Sequence, residues 1–119
     1  MLKRMYQYKF YLDANHYVLI ENRLGQVHPH TWEITVMVEV QGEKVIPFSQ
    51  IEAVIKDLLS IYQNSLLNDL APFDKRFPTL EVIGDYFTEL IDEEMLKRKW
   101  SLRSFTISET PSRSYITRY

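Results

Sequence analysis

The three histidines of this 119-residue chain all lie within its first thirty residues. His28 and His30 sit two apart, and His16 lies twelve residues before His28. Neutral imidazole is the commonest metal ligand in proteins, and three nitrogens that leave one position open form a donor set used by catalytic zinc. A His-x-His pair entering a strand directs both rings to one side of the pleat, where a single ion can meet them. The third ligand must then come from a neighbouring strand folded back alongside. No cysteine is present, which excludes disulfides, thiolate metal sites and thiol nucleophiles.

Elements able to position these rings are legible in the hydrophobic pattern. Met1 to Ala14 alternates as a strand, with Tyr6, Tyr8, Phe10 and Leu12 on one face and Gln7, Lys9 and Asp13 on the other. Asn15 to Pro29 reads as a long connection with His16 at its start and Gly25 near its end, and loops of this length are usually functional or disordered. Thr31 to Gln41 alternates more clearly still, with Trp32, Ile34, Val36, Val38 and Val40 pointing one way, and Gln41-Gly42-Glu43 ends it.

Ser49 followed by Glu52 predicts a capping box at the start of a helix that buries Ile51, Val54, Ile55, Leu58, Leu59 and Tyr62. After an irregular crossing, Thr79 caps a second helix with Glu81 in its first turn and Ile83, Tyr86, Phe87, Leu90 and Ile91 on its apolar face. Lys97-Arg98-Lys99 reads as a helix C-terminus, where positive charge is favoured, and not as a binding patch. Two strands follow, Ser101 to Glu109 and Ser112 to Tyr119, with a turn at Thr110-Pro111.

The order ββααββ predicts an α+β fold, an antiparallel four-stranded sheet with two helices on one face. The second sheet face mixes Gln7, Lys9, Thr35, Met37, Arg103 and Phe105, and two open sheet edges invite pairing with further copies. Length implies one domain spanning 1–119. A net charge of -2 offers no basic field for nucleic acid and no polybasic membrane patch. No apolar run approaches the ~20 residues of a membrane span and no signal-peptide core is visible, so a cytoplasmic location is expected.

Several ordered segments resemble one family, the 6-pyruvoyl-tetrahydropterin synthase and 6-carboxy-tetrahydropterin synthase group. Phe10-Tyr11-Leu12-Asp13-Ala14-Asn15-His16 resembles its F-x-x-x-A-x-H element, and His28-Pro29-His30-Thr31-Trp32 its H-G-H-N-Y, with proline for glycine. Val45 to Ile55 is similar to the family's entry into its first helix, without the aspartate. Leu66-Leu67-Asn68-Asp69, Pro78-Thr79-x-Glu81 and Ser108-Glu109-Thr110-Pro111 match further elements in order. The resemblance implies the T-fold, in which subunits join their sheets into an oligomeric barrel, commonly as hexamers. It implies zinc on His16, His28 and His30, and Glu109 as the anchor of a pterin, with Thr106 and Ser108 assisting it.

The resemblance also marks what is missing. The family's catalytic cysteine, which precedes its H-G-H element, falls in the stretch Asn22 to Leu24, and its Asp-His pair falls on Gln63 and Asn64. Neither amide moves a proton at neutral pH. Glu21 in the loop is the substitute base expected here, with Asp13 beside the site as a second carboxylate. Three readings follow: a zinc-dependent lyase-like protein acting on a 7,8-dihydroneopterin triphosphate-like pterin; a catalytically inactive pterin- or purine-binding or regulatory paralogue that keeps the metal site; or a small oligomeric α+β scaffold with an incidental metal site.

Overall fold

The computed structural model describes residues 2–41 and 45–119. Its frame is a long antiparallel pair, β1 (Arg4–His16) and β4 (His28–Val40), each of 13 residues. At about 3.3 Å per residue such strands run roughly 40 Å, which accounts for the long axis of a molecule measuring 52 × 26 × 21 Å. The expected fifteen-residue loop is shorter than the sequence suggested, because both strands continue up to the histidines. Between them stands a small hairpin of β2 (Leu19–Ile20) and β3 (Arg23–Leu24). Its turn residues Glu21 and Asn22 have φ of 49° and 63°, the left-handed pair that a tight two-residue hairpin turn requires. The expected strand end at Gln41-Gly42-Glu43 falls partly outside the described residues, as does Met1; β4 itself ends at Val40.

Helix α1 (Phe48–Ser60) buries Ile51, Ile55 and Leu59 on one stripe, continued by Tyr62, while Val54 and Leu58 are half-buried beside it. The capping box does not form. The helix begins two residues early, with Pro47 at the N-cap and no side-chain cap bond, so Ser49 lies inside the first turn and cannot cap it. Helix α2 (Leu80–Lys97) starts as expected: the Thr79 hydroxyl accepts from the Val82 amide at 3.2 Å, with Glu81 in the first turn and Lys97 in the last. The final strands are β5 (Ser101–Thr110) and β6 (Arg113–Arg118), and the sheet order is β1-β4-β5-β6.

The helices and one sheet face enclose a single apolar core in which Leu12, Trp32, Ile34, Val36, Phe87, Phe105 and Ile107 are fully buried. Phe105 belongs to this face and not to the mixed one. Met37 opposes Ser104 and Val38 opposes Leu102, which leaves Arg103 with no opposite residue. One extra residue in a strand reverses its alternation from there on, so Leu102 and Phe105, three apart, both turn inward. Arg103 stays outside, donating from Nη2 and Nε to Glu39 Oε2 at 2.8 and 3.1 Å.

The free edge of β1 is held by the crossing between the helices. The Gln63 side chain donates to the Tyr11 carbonyl at 2.8 Å and accepts from the Asp13 amide at 3.0 Å. Asn64, with φ of 58°, donates its amide to the Asp13 carbonyl, and Asn15 donates to Ser65. Buried Asn68 completes the seam by donating to the Tyr17 carbonyl at 2.9 Å and accepting its amide at 3.0 Å. Backbone groups on both sides of His16 are thus satisfied, which holds the end of the strand in register. Among the described residues no helix is long and apolar enough to cross a membrane.

Candidate metal and ligand site

Register decides the histidine geometry. His16 opposes His28 across the ladder, and Ala14 opposes His30. Opposed residues share a face, so all three rings extend the buried row that includes Leu12 and Trp32. Alanine at position 14 leaves the space that the rings fill. Ring centroids lie 4.5 Å (His16–His28), 4.8 Å (His28–His30) and 5.0 Å (His16–His30) apart. One ligand nitrogen from each falls within 4.8 Å of the others, a group that could hold a metal ion.

Backbone carbonyls orient two of the rings. His16 Nδ1 is 2.8 Å from the Pro78 carbonyl, and His28 Nδ1 is 2.8 Å from the Gln26 carbonyl. A carbonyl only accepts, so each Nδ1 carries the proton and each Nε2 presents a lone pair. The two Nε2 atoms face each other at 2.8 Å. Two neutral rings in this tautomer have no proton to place between them, whereas a cation at that point satisfies both. Burial pushes the imidazole of His16 below its ordinary value, and His28 and His30 lower it further, against the Pro78 hydrogen bond and the charge of Glu109. The neutral, metal-binding form is therefore the favoured one. The donor set fits a metal ion.

The rings open into a cavity of about 740 Å³, a size typical of small-molecule sites. Val18 and Ile20 of the hairpin, the Thr79–Glu81 start of α2, Glu109 of β5 and the Ser112–Tyr115 stretch around β6 form its other walls. Glu109 thus shares one cavity with all three histidines. Its Oε1 accepts from the indole Nε1 of fully buried Trp32 at 3.3 Å.

Other expected residues stand farther off. Ser108 does not line the cavity but its hydroxyl meets that of Ser114, which does, at 2.6 Å. Thr106 opposes Thr35 on the outer sheet face and is not among the lining residues. Glu21 is exposed at the hairpin tip, next to lining residue Ile20. Asp13 lines a separate, smaller cavity of about 380 Å³ with Thr31, whose hydroxyl it accepts, and His30. Two charged lining residues, Glu81 and Arg113, were not singled out for this site in the sequence. Pattern reading assigned Glu81 to the helix dipole, and nothing local distinguishes Arg113 from a solvated strand residue.

A family model described as 6-pyruvoyl tetrahydropterin synthase matches residues 6–119. No curated protein matches the sequence. Among solved structures, Caenorhabditis elegans 6-pyruvoyl tetrahydropterin synthase aligns with TM-score 0.82 at 17% identity, covering 100% of this chain and 97% of that one. The Plasmodium falciparum enzyme aligns at 0.76 and 15%, covering 98% of each chain. Two Plasmodium vivax structures of the same synthase, described as catalytic residue mutants with a glutamate replaced by alanine or cysteine, align at 0.67 and 16%, covering 98% of each chain. Likeness at these identities speaks for the fold, and the family follows from the sequence match along nearly the whole chain: the protein belongs to the 6-pyruvoyl tetrahydropterin synthase family.

Proposed function

We propose that the protein binds zinc through His16, His28 and His30 and takes a dihydropterin of the 7,8-dihydroneopterin triphosphate type into the adjoining cavity, where it carries out a variant of carbon–oxygen lyase chemistry. The observation that carries this reading is the placement of Glu109 and the histidine cluster in the walls of one cavity. An ionised carboxylate offers about four lone-pair sites, of which Trp32 takes one. The remainder can accept the two parallel N–H groups of an aminopyrimidinone edge. Zinc, when bound, supplies Lewis-acid polarisation of a substrate carbonyl or hydroxyl. In this reading the protein works as a homo-oligomer whose sheets join into a barrel, commonly hexameric in the family.

A base must then remove a proton from the substrate side chain, and no thiol exists in the chain. Glu21, next in sequence to lining residue Ile20, is the carboxylate we assign to this role. The Plasmodium vivax variants support a carboxylate here, since the catalytic residue replaced in them is a glutamate. One observation favours a second reading, an inactive paralogue that binds pterin without turnover. Gln63 and Asn64, standing where the family carries an Asp-His pair, are bound to the backbone of β1.

The deciding experiment titrates the metal-loaded protein with 7,8-dihydroneopterin triphosphate, following heat and products together. Product that is lost in Glu21→Gln supports the lyase reading with Glu21 as base. Product that persists in that variant removes Glu21. Heat without product establishes the binding paralogue, and no heat sets the pterin reading aside.

A further inference from the structure

We propose that Trp32 is a positioning residue: its buried indole holds the Glu109 carboxylate in fixed relation to the histidine cluster, so that the metal and the ligand anchor act as one rigid unit. The use of Glu109 as a ligand anchor rests on the reading above; the link between the indole and the carboxylate does not.

Glu109 lies where the ladders on both sides give out. Toward β6, Ser108 opposes Ser114 and Thr110 opposes Arg113, which leaves Glu109 itself unpaired in an irregular step. Toward β4, the last pair is Glu33 with Ser108. Backbone pairing alone therefore does not fix where the carboxylate points, and irregular steps of this kind commonly re-aim a side chain. One step beyond that last pair, Trp32 is the cross-strand neighbour of Glu109, and its Nε1 reaches Oε1 at 3.3 Å. The other side of the indole is occupied by the cluster: its ring centroid lies 5.0 Å from that of His16 and 5.2 Å from that of His30.

The indole is suited to this task. It is fully buried, and so is Leu12 opposite it, so the ring has no room to turn. Rotation would also strand its N–H in the core, at a cost comparable to a lost hydrogen bond. Indole nitrogen only donates, so it occupies one lone pair of the carboxylate and leaves the others for a ligand in the cavity that Glu109 lines. A phenylalanine would preserve the apolar packing and supply no donor.

Two measurements test this. In the ligand-free protein labelled with nitrogen-15, the indole N–H signal of Trp32 is assigned with Trp100→Phe, since these are the two tryptophans. Glu109→Ala should move the Trp32 signal; a signal that stays in place overturns the proposal. Equilibrium dialysis with 7,8-dihydroneopterin then compares Trp32→Phe, Glu109→Ala and the double variant. Trp32→Phe should weaken binding about tenfold on its own, the scale of one charge-assisted hydrogen bond, with metal content retained. In the Glu109→Ala background it should cost about twofold or less. Equal losses in the two backgrounds, or loss of metal in Trp32→Phe, would reduce Trp32 to ordinary packing and overturn the proposal. Should the unaltered protein bind no dihydroneopterin, the pterin reading fails, and the indole signal alone decides the link to Glu109.

Discussion

The two ends of the β1–β4 pair are built on the same alternation and differ in what fills the inward row. Toward the start of β1 the row holds Tyr6, Tyr8 and Val38, with the Tyr6 and Tyr8 rings edge-on to Phe48 at 5.3 and 6.1 Å. Toward the other end the row passes from Leu12 and Trp32 to Ala14 and the three histidines, and the wall opens into a cavity. At the first end the row stays covered: Tyr8 and Val38 are buried and Ile46 packs against the same core, while Phe48 is itself largely exposed. At the second, the first turn of α2, the Pro78 carbonyl, the hairpin and the Ser112–Tyr115 stretch stand around the row and leave a cavity between them. The site is the core row carried past its cover, held by the same ladder hydrogen bonds that hold the core. Strand-borne ligands gain rigidity from this arrangement, which loops would not supply.

Four outcomes would break or sharpen this contrast. The largest is expected at the open end. His28→Ala should drop metal content from about one equivalent to near none, because two ligands seldom retain zinc, while circular dichroism stays unchanged. Metal that survives this change would show that the cluster is not the binding site.

Next in size is a change in the buried stripe of α1, in the same core as the row. Ile55→Ala deletes a fully buried side chain and should cost about 2–5 kcal/mol in urea unfolding. The folded fraction should still bind metal at the original stoichiometry, and loss of metal in proportion to stability would mean that the two ends are not separable.

A smaller effect is expected where α2 meets the cavity wall. A Cβ on Gly84 would lie 2.5 Å from Tyr115 Cδ2, so Gly84→Ala must displace a ring that lines the cavity and donates to Asp85 at 2.6 Å. It should cost about 1–3 kcal/mol and weaken ligand binding, with metal content intact. An alanine variant with unchanged stability would mean that the Tyr115 ring is free to move.

The smallest is a pH effect on the metal-free protein. The folded chain holds His16 below its ordinary value of 6.5, so as pH falls below 6.5 the unfolded chain takes up this proton first. Stability should decline from pH 7 toward pH 5, and His16→Asn should flatten that decline. An equal slope in the variant would assign the pH dependence elsewhere.

Much of this was determined by the sequence alone. Residue alternation marks both long strands and their inward faces, because side-chain direction in a strand has a period of two. Spacing places His28 and His30 on one side of the pleat, and Thr79 announces α2. These are local properties, carried by neighbours within one element. Tertiary structure decided the rest. It brought His16 opposite His28, turned the two Nε2 atoms together through the carbonyls of Pro78 and Gln26, and used Gln63 and Asn68 to hold the edge of β1. It turned Phe105 inward through a bulge, began α1 at Phe48 without its expected cap, and brought Glu81 and Arg113 to the cavity that Glu109 shares with the histidines. The physical reason is separation along the chain. His16 and Pro78 are 62 residues apart, and Trp32 and Glu109 are 77 apart. Such partners are chosen by how the sheet and helices close, and no local pattern in the residues records that choice.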